Sequence, residues 1–241
     1  MKHKCITCGK KAYIALGNSN TRHYCQEHAP SLVNLNDMTK DLDTEEKRLF
    51  IKKFYDGAYK MDIYEPHNGL YGWQWIVLRT QVKFDKALDV GCGTGEGMRW
   101  AIDKGLDVYG IDFADATKMW KRWGVEDRCK IASALNIPYP DDTFDLVACM
   151  DVMEHIPEED VLDALKEMRR VGNLCYVFAV ALTLEKEPVA KKVLTHITIK
   201  DADWWIDKFK EAGYGVAALA SGKPAIQLDD DHIRAFLTKD C

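Results

Sequence analysis

Short apolar runs alternate with amphipathic segments through most of this chain. Strands are predicted at 85–90, 107–112, 128–132, 144–150 and 173–181. Helices are predicted between them at 95–104, 115–123 and 159–170. In the last helix Val161, Leu165 and Met168 recur on one face. Regular alternation with short connections favours a doubly wound, mostly parallel sheet that is covered by helices on both faces.

The segments on either side of this α/β pattern are less regular. Asp43–Glu46 has capping-box spacing and begins a predicted helix that ends near Gly57. An aromatic, loop-like stretch over 54–64 and a helix over 73–82 follow, whereas residues 31–42 are polar and predict a linker. Beyond residue 200 we expect one helix and then strands near 214–219 and 224–228.

Length and composition allow one full domain and a small additional module. The 241 residues are 47% hydrophobic, which is enough for a buried core. The sequence contains no run of 18 apolar residues and no signal peptide. We therefore expect a soluble, cytoplasmic protein that does not bind membranes. Half of the cysteines lie in or beside apolar segments, where a reduced thiol packs as a small hydrophobe: Cys92, Cys129, Cys149 and Cys175.

Two pairs of metal-ligating residues lie near the N-terminus. Cys5-Ile-Thr-Cys8 and Cys25-Gln-Glu-His28 repeat the same spacing, and His23 is a spare donor. Four soft or borderline ligands match the tetrahedral preference of zinc and fill a structural site completely. Short strands over 12–16 and 22–24 are predicted between the pairs, so the segment resembles treble-clef and ribbon zinc fingers. We predict a zinc module over 1–40 and an α/β domain over 43–241.

Charge is distributed unevenly between these two regions. The net charge of the whole chain is −5, but residues 1–40 hold six Lys or Arg against two Asp or Glu. The acidic remainder is a poor nucleic-acid binder, because neutralisation of phosphates supplies most non-specific affinity. The basic N-terminal region keeps a nucleic-acid partner open, although a solvated lysine-rich surface is the favoured interpretation.

The glycine-rich turn Asp89-Val-Gly-Cys-Gly-Thr-Gly95 follows the first strand of the alternating region, and Asp112 ends the second. Glycine lets a backbone approach a ligand closely, and an acid at the second strand can accept hydrogen bonds from ribose hydroxyls. Glu96 stands where a dinucleotide-binding loop has its third glycine, and its charge at a helix N-terminus disfavours a pyrophosphate. A nucleoside cofactor without phosphate suits this loop better.

The same loop closely resembles motif I of the class I S-adenosylmethionine-dependent methyltransferases. The resemblance continues through Tyr109–Asp112, Ile137–Val147 and Asp151–Pro157 and covers roughly residues 50–220. It implies a Rossmann-like, seven-stranded sheet that ends in an antiparallel hairpin strand, with S-adenosylmethionine as cofactor.

The resemblance also assigns roles to matching positions. Asp89 should favour the methionine ammonium and Asp112 should hold the ribose, while Ser133 and Ala134 stand where the family often recognises adenine. Tyr55 and Tyr59 are candidates near the methionine moiety, with packing against the sheet as the alternative. The predicted cofactor-binding set is Asp89, Gly91, Cys92, Gly93, Gly95, Asp112, Phe113, Ser133, Ala134, Met150 and Tyr59.

Four residues are candidates for acid–base work: Asp151, Glu154, His155 and His196. Glu154 and His155 match positions that usually line the pocket or act structurally in the family. His196 follows the fifth strand of the alternating region, and a histidine near its free pKa can deprotonate an alcohol or an amine. We predict His196 and Asp151 as the catalytic residues, and a purely structural histidine is the alternative.

The motif after the fourth strand restricts the methyl acceptor. The sequence lacks the Asn-Pro-Pro-Tyr of exocyclic-amine nucleic-acid methyltransferases and the Pro-Cys pair of cytosine-C5 enzymes, and Asp151–Pro157 resembles small-molecule and sugar-modifying enzymes. We predict methylation of an oxygen or nitrogen of a small molecule. A nucleic-acid or protein methyltransferase that uses the zinc module to hold its substrate, and a non-catalytic nucleotide-binding scaffold, are the alternatives. The sequence does not indicate an oligomeric state.

Overall fold

The structure of the protein is a computed structural model that describes residues 14–16, 22–24, 33–61, 72–77, 83–183, 193–217 and 224–239. The helices in these ranges are α1 (Leu35–Thr39), α2 (Thr44–Met61), α3 (72–77), α4 (Glu96–Asp103), α5 (Thr117–Trp123), α6 (Val161–Val171) and α7 (Ala202–Glu211). None of these helices is long and apolar enough to cross a lipid bilayer.

Twelve strands lie in the same ranges. They are β1 (Ile14–Leu16), β2 (Arg22–Tyr24), β3 (Val33–Asn34), β4 (Ala87–Val90), β5 (Val108–Asp112), β6 (Cys129–Ile131), β7 (Phe144–Met150), β8 (Gly172–Ala181), β9 (Val193–Leu194), β10 (Tyr214–Val216), β11 (Ile226–Leu228) and β12 (His232–Lys239). The predicted strand and helix positions of the α/β region are confirmed to within a few residues at each end.

The main sheet has the strand order β10-β12-β8-β7-β4-β5-β6. Strands β4 to β8 run parallel to their neighbours, and β12 is antiparallel to β8. The short strand β11 joins β10 on the outer edge of β12. The predicted mostly parallel Rossmann-like sheet is therefore confirmed, with a path of seven strands and β11 as an eighth.

The core occupies both faces of the sheet, as the continuous apolar strands require. Along β7, Val147 and Cys149 pack into one hydrophobic cluster, and Leu146 and Ala148 pack into the other. Helices α6 and α7 cover the first face, and α2, α3 and α4 cover the second. This arrangement leaves the carboxyl ends of β4, β5 and β7 side by side, where open α/β sheets bind ligands.

Helix α2 begins as predicted and ends later than predicted. The Asp43 carboxylate accepts from the Glu46 N–H at 2.9 Å, and the Glu46 carboxylate accepts from the Asp43 N–H at 3.2 Å. The prediction that the helix ends near Gly57 was wrong, and most of the supposed aromatic loop is its last turns. Tyr55, Ala58 and Tyr59 recur at helical spacing and are buried, so packing outweighs the low helix propensity of glycine.

The N-terminal region is described in two short pieces. Strands β1 and β2 pair antiparallel, which confirms the two strands predicted there. Strand β3 pairs parallel with β9, and Leu35 is fully buried against a group that includes Ile197. Residues 33–39 thus pack on the α/β domain rather than forming the predicted linker. The predicted zinc ligands Cys5, Cys8, Cys25 and His28 lie outside the described residues.

Strand β12 was not predicted. It is the strand that joins β8 to both β10 and β11, and its buried residues include Ile233, Ala235 and Leu237 in alternation. An acidic turn over 229–231 precedes the strand, and the backbone N–H of His232 donates to the Asp229 carboxylate at 2.8 Å. This turn brings His232 back toward the carboxyl end of the parallel strands.

Candidate active site

A cavity of about 390 Å³ opens at the carboxyl ends of β4, β5 and β7. The loops that follow these strands form its floor, helices α2 and α3 form one wall, and residues 195–196 and 231–232 close the far end. All but one of the predicted cofactor-binding and catalytic residues line it. The exception is Gly95, which begins α4 with a φ of +82° and packs against Val125.

The glycine turn presents Gly93 to the cavity. Among the described residues, only the Tyr59 hydroxyl oxygen would lie within 4 Å of a Cβ at this position, at 3.7 Å, so the backbone faces open space in that part of the structure. A Cβ at Gly91 would instead lie 2.3 Å from Val152, and its φ of +79° also favours glycine. Glycine at 91 and 95 therefore serves packing and turn geometry, whereas Gly93 leaves open space beside the backbone.

Asp112 is buried at the end of β5 beside this turn. Its carboxylate accepts from the N–H groups of Gly93 and Ala114, both at 2.9 Å, and from the Tyr59 hydroxyl at 3.5 Å. A carboxylate offers about four acceptor positions, so two ribose hydroxyls fit if the long Tyr59 bond is released. Burial raises the pKa of Asp112 to about 6, against the effect of these hydrogen bonds. The group is therefore mostly a carboxylate at neutral pH.

Asp89 lies one residue before the end of β4 and is held by a tryptophan. The Trp73 Nε1–H donates to Asp89 Oδ2 at 2.7 Å, which fixes the carboxylate toward the cavity. Burial raises the pKa of Asp89 to about 7; the Trp73 bond partly offsets this effect, and the nearby Asp112 adds to it. A cationic ligand group would bind this buried carboxylate strongly, because it would relieve the cost of holding the charge away from water.

The remaining cofactor-side predictions lie around these two acids. Ser133 and Ala134 follow β6 and line the cavity, and the Ser133 hydroxyl oxygen accepts from the Leu135 N–H at 3.2 Å. Phe113 and Met150 line it at the ends of β5 and β7. Cys92 also borders the cavity, and burial raises the pKa of its thiol far above the ordinary value, so it is uncharged.

Glu154, His155 and His196 form a cluster at the other end. Each places one ligand atom within 4.8 Å of the other two, so the group can hold a proton or a metal ion. Glu154 is fully buried, and its Oε1 accepts from the Ala181 N–H at 3.1 Å and lies 3.8 Å from His196 Nε2. His196 Nδ1 lies 2.7 Å from the Thr183 carbonyl oxygen, which can only accept. Nδ1 therefore carries the hydrogen, and Nε2 of the neutral ring offers its lone pair.

Asp151 stands between the two ends of the cavity in a strained conformation. Its φ is +56°, and its backbone N–H donates to the Ala179 carbonyl at 2.8 Å. Its Oδ1 is buried without a hydrogen-bond partner among the described residues, and His232 Nε2 lies 3.7 Å away. Burial raises the pKa of Asp151, and His232, Arg234 and His196 partly counter that effect.

Sequence reasoning missed two residues of this site. Trp73 fixes Asp89, and His232 faces Asp151 from β12. Trp73 had been assigned only to a helix before the first strand of the sheet, and no local pattern links it to an acid 16 residues later. His232 could have been found from the alternation of Ile233, Ala235 and Leu237, which marks a strand that begins at the cavity.

Comparisons with known proteins agree with this geometry. Residues 88–173 match the family described as a methyltransferase domain. An uncharacterized protein of Methanocaldococcus jannaschii is 32% identical over 136 residues, which are 53% of this chain and 58% of that protein. A demethylmenaquinone methyltransferase of a Geobacillus species is 37% identical over 98 residues, covering 37% of this chain and 41% of its own length. The chain therefore spans less than two thirds of these curated relatives.

A solved structure supports the fold independently. The 1,6-didemethyltoxoflavin-N1-methyltransferase of Burkholderia thailandensis, bound to S-adenosylhomocysteine, aligns with a TM-score of 0.57 at 12% identity, covering 82% of this chain and 91% of that one. At this identity the likeness concerns the fold alone. Residues 88–173 therefore match a methyltransferase-domain family, and the sheet that contains them has the fold of this solved enzyme.

Proposed function

We propose that the protein transfers a methyl group from S-adenosylmethionine to an oxygen or nitrogen atom of a small molecule. The observation that carries this proposal is a continuous cavity with two chemically different ends. One end has the open backbone at Gly93 and the buried acid Asp112. The other has Asp151 and His196, which can bind a polar acceptor and take up its proton.

S-adenosylmethionine, when bound, supplies a methyl group on a positively charged sulfur. Gly93 would admit the nucleoside, Asp112 would accept from the ribose hydroxyls, and Asp89 would bind the methionine ammonium. Ser133 and Ala134 would contact adenine. The chain's main contribution to rate is to hold the acceptor in line with the methyl group within this cavity.

His196 is the proposed general base. Its Nδ1–H bond to the Thr183 carbonyl fixes the ring, and Glu154 near Nε2 would stabilise the ring once it is protonated. Glu154 is fully buried and the Thr183 oxygen belongs to the backbone, so both hold the His196 ring in one orientation. A structural histidine is the alternative, and the kinetics of a His196 variant separate the two.

The N-terminal region is proposed to bind one structural zinc through Cys5, Cys8, Cys25 and His28. The ligand spacing and the antiparallel pairing of β1 with β2 between the two ligand pairs support it. Its basic charge supports a second candidate function, in which the module holds a nucleic acid or a protein substrate. Salt-sensitive retention of the protein on immobilised RNA or DNA, lost when residues 1–32 are neutralised by substitution, would favour that candidate.

A labelling experiment tests the proposed function directly. The protein is incubated with methyl-deuterated S-adenosylmethionine and separate cell fractions of small molecules, RNA and protein, and labelled products are identified by mass spectrometry. We expect label in a small molecule, and the Asp112→Ala variant should lose it. Label only in RNA or protein would establish the second candidate, and no label in any fraction would contradict methyl transfer.

A further inference from the structure

The acceptor end of the cavity is rich in carboxylates. Asp151, Glu154 and Asp231 line it. Among the described lining residues, Arg48 is the one arginine or lysine, and it is already paired with Asp160 through a 2.6 Å bond from Nε to Oδ2. A low-dielectric cleft with one sign of charge attracts ligands of the opposite sign.

Asp151 has two features that are typical of a ligand-binding residue and that the fold does not require. Asp151 Oδ1 is buried and has no hydrogen-bond partner among the described residues, although leaving such an oxygen unpaired is costly. The residue also holds a left-handed backbone conformation, with φ at +56°. Strain and an unpaired acceptor at one residue, beside the reacting end of a cavity, are typical of a binding site.

The basic side chains near this oxygen, among the described residues, do not satisfy it. His232 Nε2 lies 3.7 Å from Oδ1, which is beyond hydrogen-bond distance, and His232 is anchored to Asp229 through its backbone N–H. Arg234 is paired with Asp229. A donor supplied by the ligand would therefore complete the site.

We infer that the methyl acceptor is a basic amine and that Asp151 binds its ammonium form. This inference rests on the proposed function and names its substrate class. The bound ammonium gives one proton to His196 Nε2, which carries a lone pair because Nδ1 donates to the Thr183 carbonyl. The nitrogen lone pair then forms the N–C bond as the C–S bond breaks, and the electron pair of that bond stays on sulfur. The products are the methylated amine and S-adenosylhomocysteine.

Sinefungin provides a probe that needs no knowledge of the acceptor. This cofactor analogue has an amino-bearing carbon in place of the methylsulfonium, so it carries a cationic amine to the point of transfer. S-adenosylhomocysteine has a neutral thioether there. By calorimetry at neutral pH, we expect sinefungin to bind about tenfold more tightly than S-adenosylhomocysteine, as one charge-assisted hydrogen bond warrants.

Asp151→Asn is the decisive variant, because asparagine tolerates the left-handed conformation and should preserve the fold. We expect the ratio of the two dissociation constants to fall to about one, with the affinity for S-adenosylhomocysteine unchanged. The matched control is Asp142→Asn, which removes an aspartate with a similar φ of +53° that is paired with Lys239 and does not line the cavity, and it should keep the tenfold preference.

Other outcomes would overturn the inference. An unchanged ratio in Asp151→Asn would show that Asp151 does not bind the ammonium. An equal loss for both ligands would place Asp151 on the methionine part that they share. If neither ligand binds the unmodified protein, the proposed function itself fails. In the labelling experiment we expect an N-methyl amine, and an O-methyl or C-methyl product would contradict the acceptor class.

Discussion

Asp89→Asn should stabilise the protein at alkaline pH, although it removes a residue of the proposed cofactor site. The Asp89 side chain is buried, and burial raises its pKa from the ordinary 3.8 to about 7. At pH values between these two pKa values, the Asp89 carboxyl is ionised in the unfolded chain and protonated in the folded protein. Raising the pH through this window therefore favours the unfolded state. Asparagine keeps an acceptor for the Trp73 Nε1–H and carries no charge.

The magnitude follows from the size of this change in proton affinity. Each pKa unit between the unfolded and the folded state corresponds to about 1.4 kcal/mol. The raised pKa of Asp89 therefore lowers the free energy of unfolding by about 4 kcal/mol at pH 8 and by roughly 1.5 kcal/mol at pH 5. The stability of the variant relative to the unmodified protein should therefore fall by about 2.5 kcal/mol between pH 8 and pH 5. Any constant effect of the substitution itself cancels in this difference.

Urea unfolding of both proteins at the two pH values measures this difference. Asp145→Asn is a control of opposite sign. Although partial burial raises the pKa of Asp145, the backbone N–H groups of Asp85 and Lys86 lower it overall. This control should be destabilised by the same amount at both pH values, because both lie above its pKa. Parallel stability curves for Asp89→Asn and the unmodified protein would refute the assignment of a buried, protonatable Asp89.

Four further substitutions, one of them a control, test the glycine turn, the proposed zinc ligands and the proposed base. Gly91→Ala should destabilise the protein by about 3 kcal/mol or more in thermal or urea unfolding, because its Cβ would lie 2.3 Å from Val152. The control Gly105→Ala has a similar φ but no described atom within 4 Å of the added Cβ, and it should cost about 1–2 kcal/mol. Equal costs would contradict the packing role of Gly91. Cys8→Ser should abolish stoichiometric zinc in metal analysis of the purified protein, and an unchanged zinc content would contradict the proposed ligands. His196→Ala should lower turnover by about 10²–10⁴-fold with little change in cofactor affinity, whereas a structural histidine would lower the melting temperature and leave activity per folded molecule nearly intact.

Local patterns predicted the α/β region well because its strands are continuous apolar runs and its helices have one apolar face. These patterns failed where contacts between residues distant in the sequence determine the secondary structure. Gly57 and the neighbouring aromatic residues indicated a loop, but burial of Tyr55 and Tyr59 extends α2 through them. Strand β12 was missed because Phe236, which is buried together with Ala235 and Leu237, breaks the alternation of polar and apolar residues along it.

Residues of the candidate site were predictable from the sequence where a local motif alone identifies them. Gly93 and Asp112 were predicted from the strand–turn pattern, and Asp89 was predicted from the resemblance to the methyltransferase family. The functions of Trp73 and His232 depend on partners that are distant in the sequence, at Asp89 and Asp151. The division of roles among the glycines also required the structure, because only the positions of Val152 and Val125 show which glycines serve packing.

The most direct test of the central claim is a calorimetric titration of the protein with S-adenosylhomocysteine and, separately, with NAD. We expect S-adenosylhomocysteine to bind in the low-micromolar range and NAD not to bind. Asp112→Ala should weaken the binding of S-adenosylhomocysteine by roughly 1–3 kcal/mol, because the ribose hydroxyls would lose their buried acceptor. Binding of NAD without binding of S-adenosylhomocysteine, or full affinity in the Asp112 variant, would contradict this assignment of the site.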